Sequence, residues 1–216
     1  MRLIYESNKS KVYKNGDKVY KFNCQSNNVN FLKELTINEK LKNINIPNIA
    51  KFSLIDFKIK MIEMDYYQYN LEEYLAGKYD IQISTEKMNE IIYKILITLK
   101  ILHNNYIIHG DYKAKNIMLD NNLNPIIIDF DLSSFYDCNN ISELKISPDY
   151  MELNMKDDIK KLHYLIYQLL YKVEYKPELY NNYKTMMKTL DKEHYKLAVA
   201  MNNNLDDVLV YFSKLI

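Results

Sequence analysis

Two apolar runs enclose a charged segment in the middle of the chain: residues 107 to 120 read IIHGDYKAKNIMLD, and PIIIDFD follows at 125 to 131. A His, two Lys, two Asp and an Asn between short strand-like runs restrict the fold severely, because buried charge persists only when it is paired or hydrogen-bonded. Either the segment is a polar turn in which Asp and Asn act as turn formers, or its side chains converge on a cleft. In the second case the rest of the chain must supply the walls.

The flanking pattern offers such walls. Short β-like runs come first, RLIYE, KVYK and KVYKF, with a hairpin signal at Asn15-Gly16-Asp17. A helix is predicted over residues 28 to 43, where Phe31, Leu32, Leu35 and Leu41 fall near helical spacing. AKFSLIDFKIKMIEMDYY then resumes strand alternation as two further strands. From Ser84 or Thr85 as N-cap, EKMNEIIYKILITLKILHNN reads as a long amphipathic helix with Ile91, Ile92, Ile95, Leu99 and Leu102 inward. DDIKKLHYLIYQLLYKV reads as a second strong helix. No linker or internal repeat divides the chain, so the expectation is an α+β fold of 216 residues, with an N-terminal lobe at about 1–66 and a helical lobe at about 67–216.

Composition narrows the function. Hydrophobic residues make up 48% and charged ones 26%, which fits a folded globular chain. A net charge of +1 creates no global field for nucleic acid or an anionic membrane, so direct binding to either is not expected and any anion site must be local. Cys24 and Cys138 show no CxxC spacing and no companion His cluster, and the N-terminus lacks a signal peptide's apolar core. Reduced thiols and a cytoplasmic location are the expectation.

Within HGDYKAKN a lysine follows Asp111 by two positions and an asparagine by five, and Asp129 ends the next apolar run. An aspartate that orients an attacking hydroxyl, a lysine that offsets charge on the moving phosphoryl group, and an Asn and an Asp that hold Mg²⁺ form a phosphoryl-transfer set.

Here the sequence resembles the eukaryotic-type protein kinase family, with matching stretches in the family's order over nearly the whole chain. The resemblance implies a bilobal fold, with a small antiparallel β lobe carrying one main helix and a mostly helical second lobe. It implies ATP and Mg²⁺ as cofactors and a protein substrate. KVYKF resembles the strand with the phosphate-binding lysine, making Lys21 the contact to the α and β phosphates. NEKLKNINIPNIAKF implies Glu39 as its ion-pair partner, with Glu34 the second candidate. MIEMDYYQYNLEEYL is similar to the hinge: Met64 would guard the back of the adenine pocket, and Asp65 to Tyr67 would offer backbone hydrogen bonds to adenine. Val12, Val19 and Met118 would surround the ring. Asp111 and Lys113 would be catalytic, Asn116 and Asp129 would hold the metal, and Asp158 would brace the catalytic loop. Taken singly, Lys21 reads equally as a solvated strand lysine, Glu39 as a surface acid, and Val12, Val19 and Met118 as core. Their joint order favours the functional reading.

Three departures matter. The family's glycine-rich loop is ESNKSKVYK, without glycine, leaving Asn8 and Ser10 as side-chain donors. His-Arg-Asp is His109-Gly110-Asp111, and Arg2 is the only arginine in the chain, so activity is expected not to depend on phosphorylation of Ser133, Ser134, Tyr136 or Ser142. Asp-Phe-Gly is Asp129-Phe130-Asp131, which argues for a stiffer activation segment. A serine/threonine protein kinase is the first reading, with Lys113 its best support. A small-molecule or KEOPS-like kinase and a pseudokinase scaffold are the alternatives.

Overall fold

The computed structural model describes residues 1–25, 29–135, 148–173, 176, 185–186, 188, 190, 192–203 and 205–216. Its first part is a five-stranded antiparallel sheet in the order β1-β2-β3-β5-β4, formed by β1 (Arg2–Glu6), β2 (Ser10–Asn15), β3 (Lys18–Asn23), β4 (Phe52–Asp56) and β5 (Met61–Asp65). The predicted hairpin closes with Asn15 opposite Lys18. Between β3 and β4 runs α1 (Val29–Ile44), whose Phe31 and Leu35 bury against Ile62 of the sheet, while Ile37 and Leu41 enter the main core. Leu32, expected inside, is 50% exposed. It lies one position from Phe31, about 100° around the helix, and turns away from both packed surfaces.

The second part is mostly helical. A strand β6 (Tyr69–Asn70) leads into α2 (Leu71–Leu75), and Ser84 caps α3 (Thr85–Asn104) by accepting from the Lys87 N–H. Ile91, Ile92, Ile95, Leu99 and Leu102 of α3 are all buried, as their spacing predicts. Short strands β7 (Ile107–Ile108), β8 (Ile117–Leu119), β9 (Pro125–Ile127) and β10 (Ser134–Phe135) follow. They pair as β6-β8-β9 and β10-β7, so the charged segment is suspended between two small sheets. The next helix, α4 (Pro148–Tyr171), begins well before the predicted 157, because Tyr150 and Leu153 in its first turns are exposed and mark no inward apolar stripe. α5 (Lys192–Asn203) and α6 (Leu205–Ser213) complete the described chain, and α6 packs on α3 and α5. No helix among the described residues is long and apolar enough to cross a membrane. Cys24 is an exposed free thiol. Cys138, Tyr136 and Ser142 lie outside the described residues.

Candidate active site

Hairpin register sets the site. Ile117 pairs with Ile127, and the Ile128 N–H donates to the Asn116 carbonyl at 3.0 Å, so Asn116 and Asp129 emerge at the same end of β8 and β9. Asp129 takes φ +67, a left-handed conformation that Asp tolerates better than most residues. Opposite them, Lys21 reaches in from β3. Its ammonium meets Glu34 at 2.8 Å, Asp131 at 2.5 Å and Asp129 at 3.2 Å. Lys21 is only 9% exposed. Burial works against its charge, but the Glu34, Asp129 and Asp131 carboxylates together hold the ammonium well above the ordinary lysine range.

The partner of Lys21 is therefore Glu34, and the expectation of Glu39 is corrected. Glu34 is 3% exposed, whereas Glu39 faces solvent. Five positions apart, the two lie about 140° apart around a helix of 3.6 residues per turn, so only one can face Lys21. Burial pushes Glu34 up to about 8, with Lys21 opposing and the neighbouring Asp131 carboxylate adding to the rise. Asp131 is held below the carboxylate range: burial opposes this, but Lys21 and a hydrogen bond from Glu34 prevail. Glu34 binds its proton more tightly folded than unfolded, so its share of stability is fully present below pH 4.5, its unfolded value, and is lost as pH rises through about 8. The Tm advantage of the parent over Glu34→Gln is therefore expected to shrink steadily between those values, as measured by thermal melts in a pH series. A gap independent of pH would reject the assignment.

The charged loop is braced from within. Asp158 is fully buried on α4 and accepts the His109 and Gly110 N–H groups, each at 2.8 Å, with His103 Nε2 at 3.2 Å. Lys161, one turn further along α4, donates to the Gly110 carbonyl at 2.7 Å, so one helix grips both neighbouring peptides. Sequence reasoning missed Lys161, although its i+3 spacing from Asp158 puts both on one helix face. His109 is buried between Tyr112 and Phe130. Its Nδ1 accepts the Asp111 N–H at 3.1 Å, which leaves Nε2–H to donate to the Ile128 carbonyl at 3.2 Å. Burial lowers its pKa and favours this neutral tautomer.

Gly110 has φ +80, and a Cβ there would stand 2.7 Å from the Leu132 carbonyl oxygen. The missing arginine is thus a steric requirement of the loop as well as a loss of charge. Gly110→Arg is expected to lower the unfolding free energy by at least about 2 kcal/mol, combining left-handed strain with the clash, in urea titration. A neutral result would show that the loop can move off Leu132. Ser133, grouped above with potential phosphorylation sites, is fully buried and donates to the His109 carbonyl at 2.7 Å. Its hydroxyl belongs to the loop's support.

Asp111 Oδ2 accepts from Lys113 at 2.6 Å and from Asn116 Nδ2 at 2.9 Å. With the amide N–H spent on Asp111, the Oδ1 is the atom of Asn116 that can meet a cation. Asn116 Oδ1 and the Asp129 carboxylate are hard oxygen donors, a set that fits Mg²⁺ when phosphate oxygens complete the shell. Both residues line a cleft of about 1030 Å³ together with Lys21, Asp111 and Lys113. Val12, Val19, Met64, Asp65, Tyr67 and Met118 line it too. At the hinge, the Tyr66 N–H is spent on the Asp17 carbonyl at 2.8 Å, and the Asp65 side chain on Lys18 at 2.6 Å. Over the cleft, Ser7 Oγ accepts the N–H groups of Lys9 and Ser10 at 3.2 and 3.1 Å, so the glycine-free loop closes on itself. Ser10, expected as a donor toward a ligand, is buried in this turn.

A family model, protein kinase domain, matches residues 5–155. A Plasmodium falciparum protein named probable serine/threonine-protein kinase 2 is 33% identical over 131 residues, covering 55% of this chain and 24% of the relative. A probable serine/threonine-protein kinase KIN1 homolog from Encephalitozoon cuniculi is 39% identical over 72 residues, 30% of this chain and 13% of that protein. The dual specificity protein kinase zak2 of Dictyostelium discoideum is 31% identical over 135 residues, 60% of this chain and 20% of its own length. The chain thus spans a quarter or less of each of these relatives.

Proposed function

The chain belongs to the protein kinase family, and from that premise we propose that it transfers the γ-phosphoryl group of ATP to a serine or threonine hydroxyl of a protein substrate. The observation that carries this reading is the Asp111 carboxylate, held at 2.6 Å by Lys113 and 2.9 Å by Asn116 in the cleft that also holds Lys21 and Asp129. Asp111 orients the acceptor hydroxyl and takes its proton as the new O–P bond forms and the bond to the ADP oxygen breaks. Lys113 offsets charge on the phosphoryl group in transit. Lys21, anchored by Glu34, faces the remaining phosphates. Mg²⁺, when bound, neutralises charge on the β and γ phosphates, and Asn116 Oδ1 and Asp129 are the oxygens that would hold it. The adenine ring would lie between Val12, Val19 and Met118, with Met64 behind it and Asp65 and Tyr67 at its edge.

Two of the relatives bear serine/threonine names and one a dual-specificity name, which supports a protein acceptor and leans toward Ser/Thr. The test is radiolabelled ATP with Mg²⁺, the chain, and a panel of acidic, neutral and basic proteins, with Asp111→Asn as control. Label on serine or threonine above the control is expected. Label on small metabolites alone would replace the protein acceptor with a small-molecule one, and none above the control would overturn catalysis.

A further inference from the structure

We propose that Asp131 is an internal competitor of nucleotide phosphates for Lys21, and so sets the chain's affinity for phosphorylated nucleotides without touching its affinity for the nucleoside. This rests on the kinase reading only in taking the cleft as a nucleotide site. An ammonium has three N–H donors. Those of Lys21 are met by oxygens of three acidic side chains, Glu34, Asp129 and Asp131. A phosphate oxygen can therefore reach Nζ only by displacing one of them.

Position decides which one yields. Glu34 is sealed between α1 and the sheet, with its side chain 3% exposed. Asp129 stands at the longest distance, 3.2 Å, with a side chain 38% exposed, but it is the carboxylate proposed to turn to the metal that accompanies the phosphates, which leaves Asp131 as the carboxylate that stays to compete for Nζ. Asp131 makes the shortest contact, which makes it the strongest competitor for Nζ, and its side chain is 29% exposed, so once displaced it can turn to solvent without opening the core. Its charge also adds to a cluster that an incoming polyphosphate must approach. A second, separate feature follows the same pattern: the Ser7 hydroxyl occupies the N–H groups of Lys9 and Ser10, the amides of the loop above the cleft. On both sides the anion-binding groups are met by oxygens of the chain itself.

The test is calorimetric binding of ATP, ADP and adenosine to the parent, Asp131→Asn and Asp131→Gly, which needs no phosphoryl transfer and therefore reads separately from the activity assay. Replacing one charge-assisted contact should tighten ATP and ADP by about tenfold or more in both variants, with adenosine unchanged. Asp131→Asn preserves shape, and Asp131→Gly removes the side chain altogether. ATP affinity that stays the same or weakens in both variants overturns the proposal, weakening being the mark of a metal ligand. Adenosine tightening in parallel overturns it as well, since that would mean a general reshaping of the cleft.

Discussion

Asp111→Asn is expected to lower phosphoryl transfer by roughly 10² to 10⁴-fold, the usual contribution of a general acid–base group, while ATP affinity stays within a few-fold of the parent. The carboxylate accepts from Lys113 and Asn116 through one oxygen, Oδ2. An amide at 111 can still turn its oxygen to those two donors, so the loop keeps its shape. What it loses is the ability to take a proton, because its second terminal atom becomes an NH₂ donor. Single-turnover labelling with ATP binding measured in parallel separates the two effects. Equal losses in binding and turnover would mean that the substitution collapses the loop, and Asp111 would then be a structural residue.

The second large effect concerns stability. Asp158→Ala is expected to cost about 3–5 kcal/mol in urea unfolding, the range for removing one partner of a buried charged network. Asp158 is fully buried, and its loss orphans the His109 and Gly110 N–H groups and strips His103 of its carboxylate. Lys161 would still hold the Gly110 carbonyl, but a single contact fixes no orientation. Asp158→Asn keeps one acceptor and should lose about half as much. A cost below about 1 kcal/mol for the alanine variant would show that the loop is held by β7 and His109 without help from α4.

Much of this arrangement is legible in the sequence where a face is exposed on one side only. The long helix α3 has a solvent side, so its apolar period fixes its phase, and every predicted inward residue is buried. Helix α1 has no such guide. It is packed against the sheet through Phe31 and Leu35 and against the main core through Ile37 and Leu41, so apolar residues recur on both sides. Its phase is therefore ambiguous, and the family resemblance ranks Glu39 ahead of Glu34. The start of α4 was hidden for the opposite reason: Tyr150 and Leu153 are exposed, and nothing in that stretch marks an inward stripe. Asp131 was visible as a departure, but its pairing with Lys21, distant in sequence, is a tertiary fact.

Gly110 and Leu132 are tied to each other. A phosphate-gated form would need an arginine before Asp111, yet its first side-chain carbon would stand only 2.7 Å from the Leu132 carbonyl oxygen. A side chain at 110 therefore needs the backbone at 132 to move, and that movement alone brings no new charge partner. The two changes are thus mutually conditional, each unfavourable without the other.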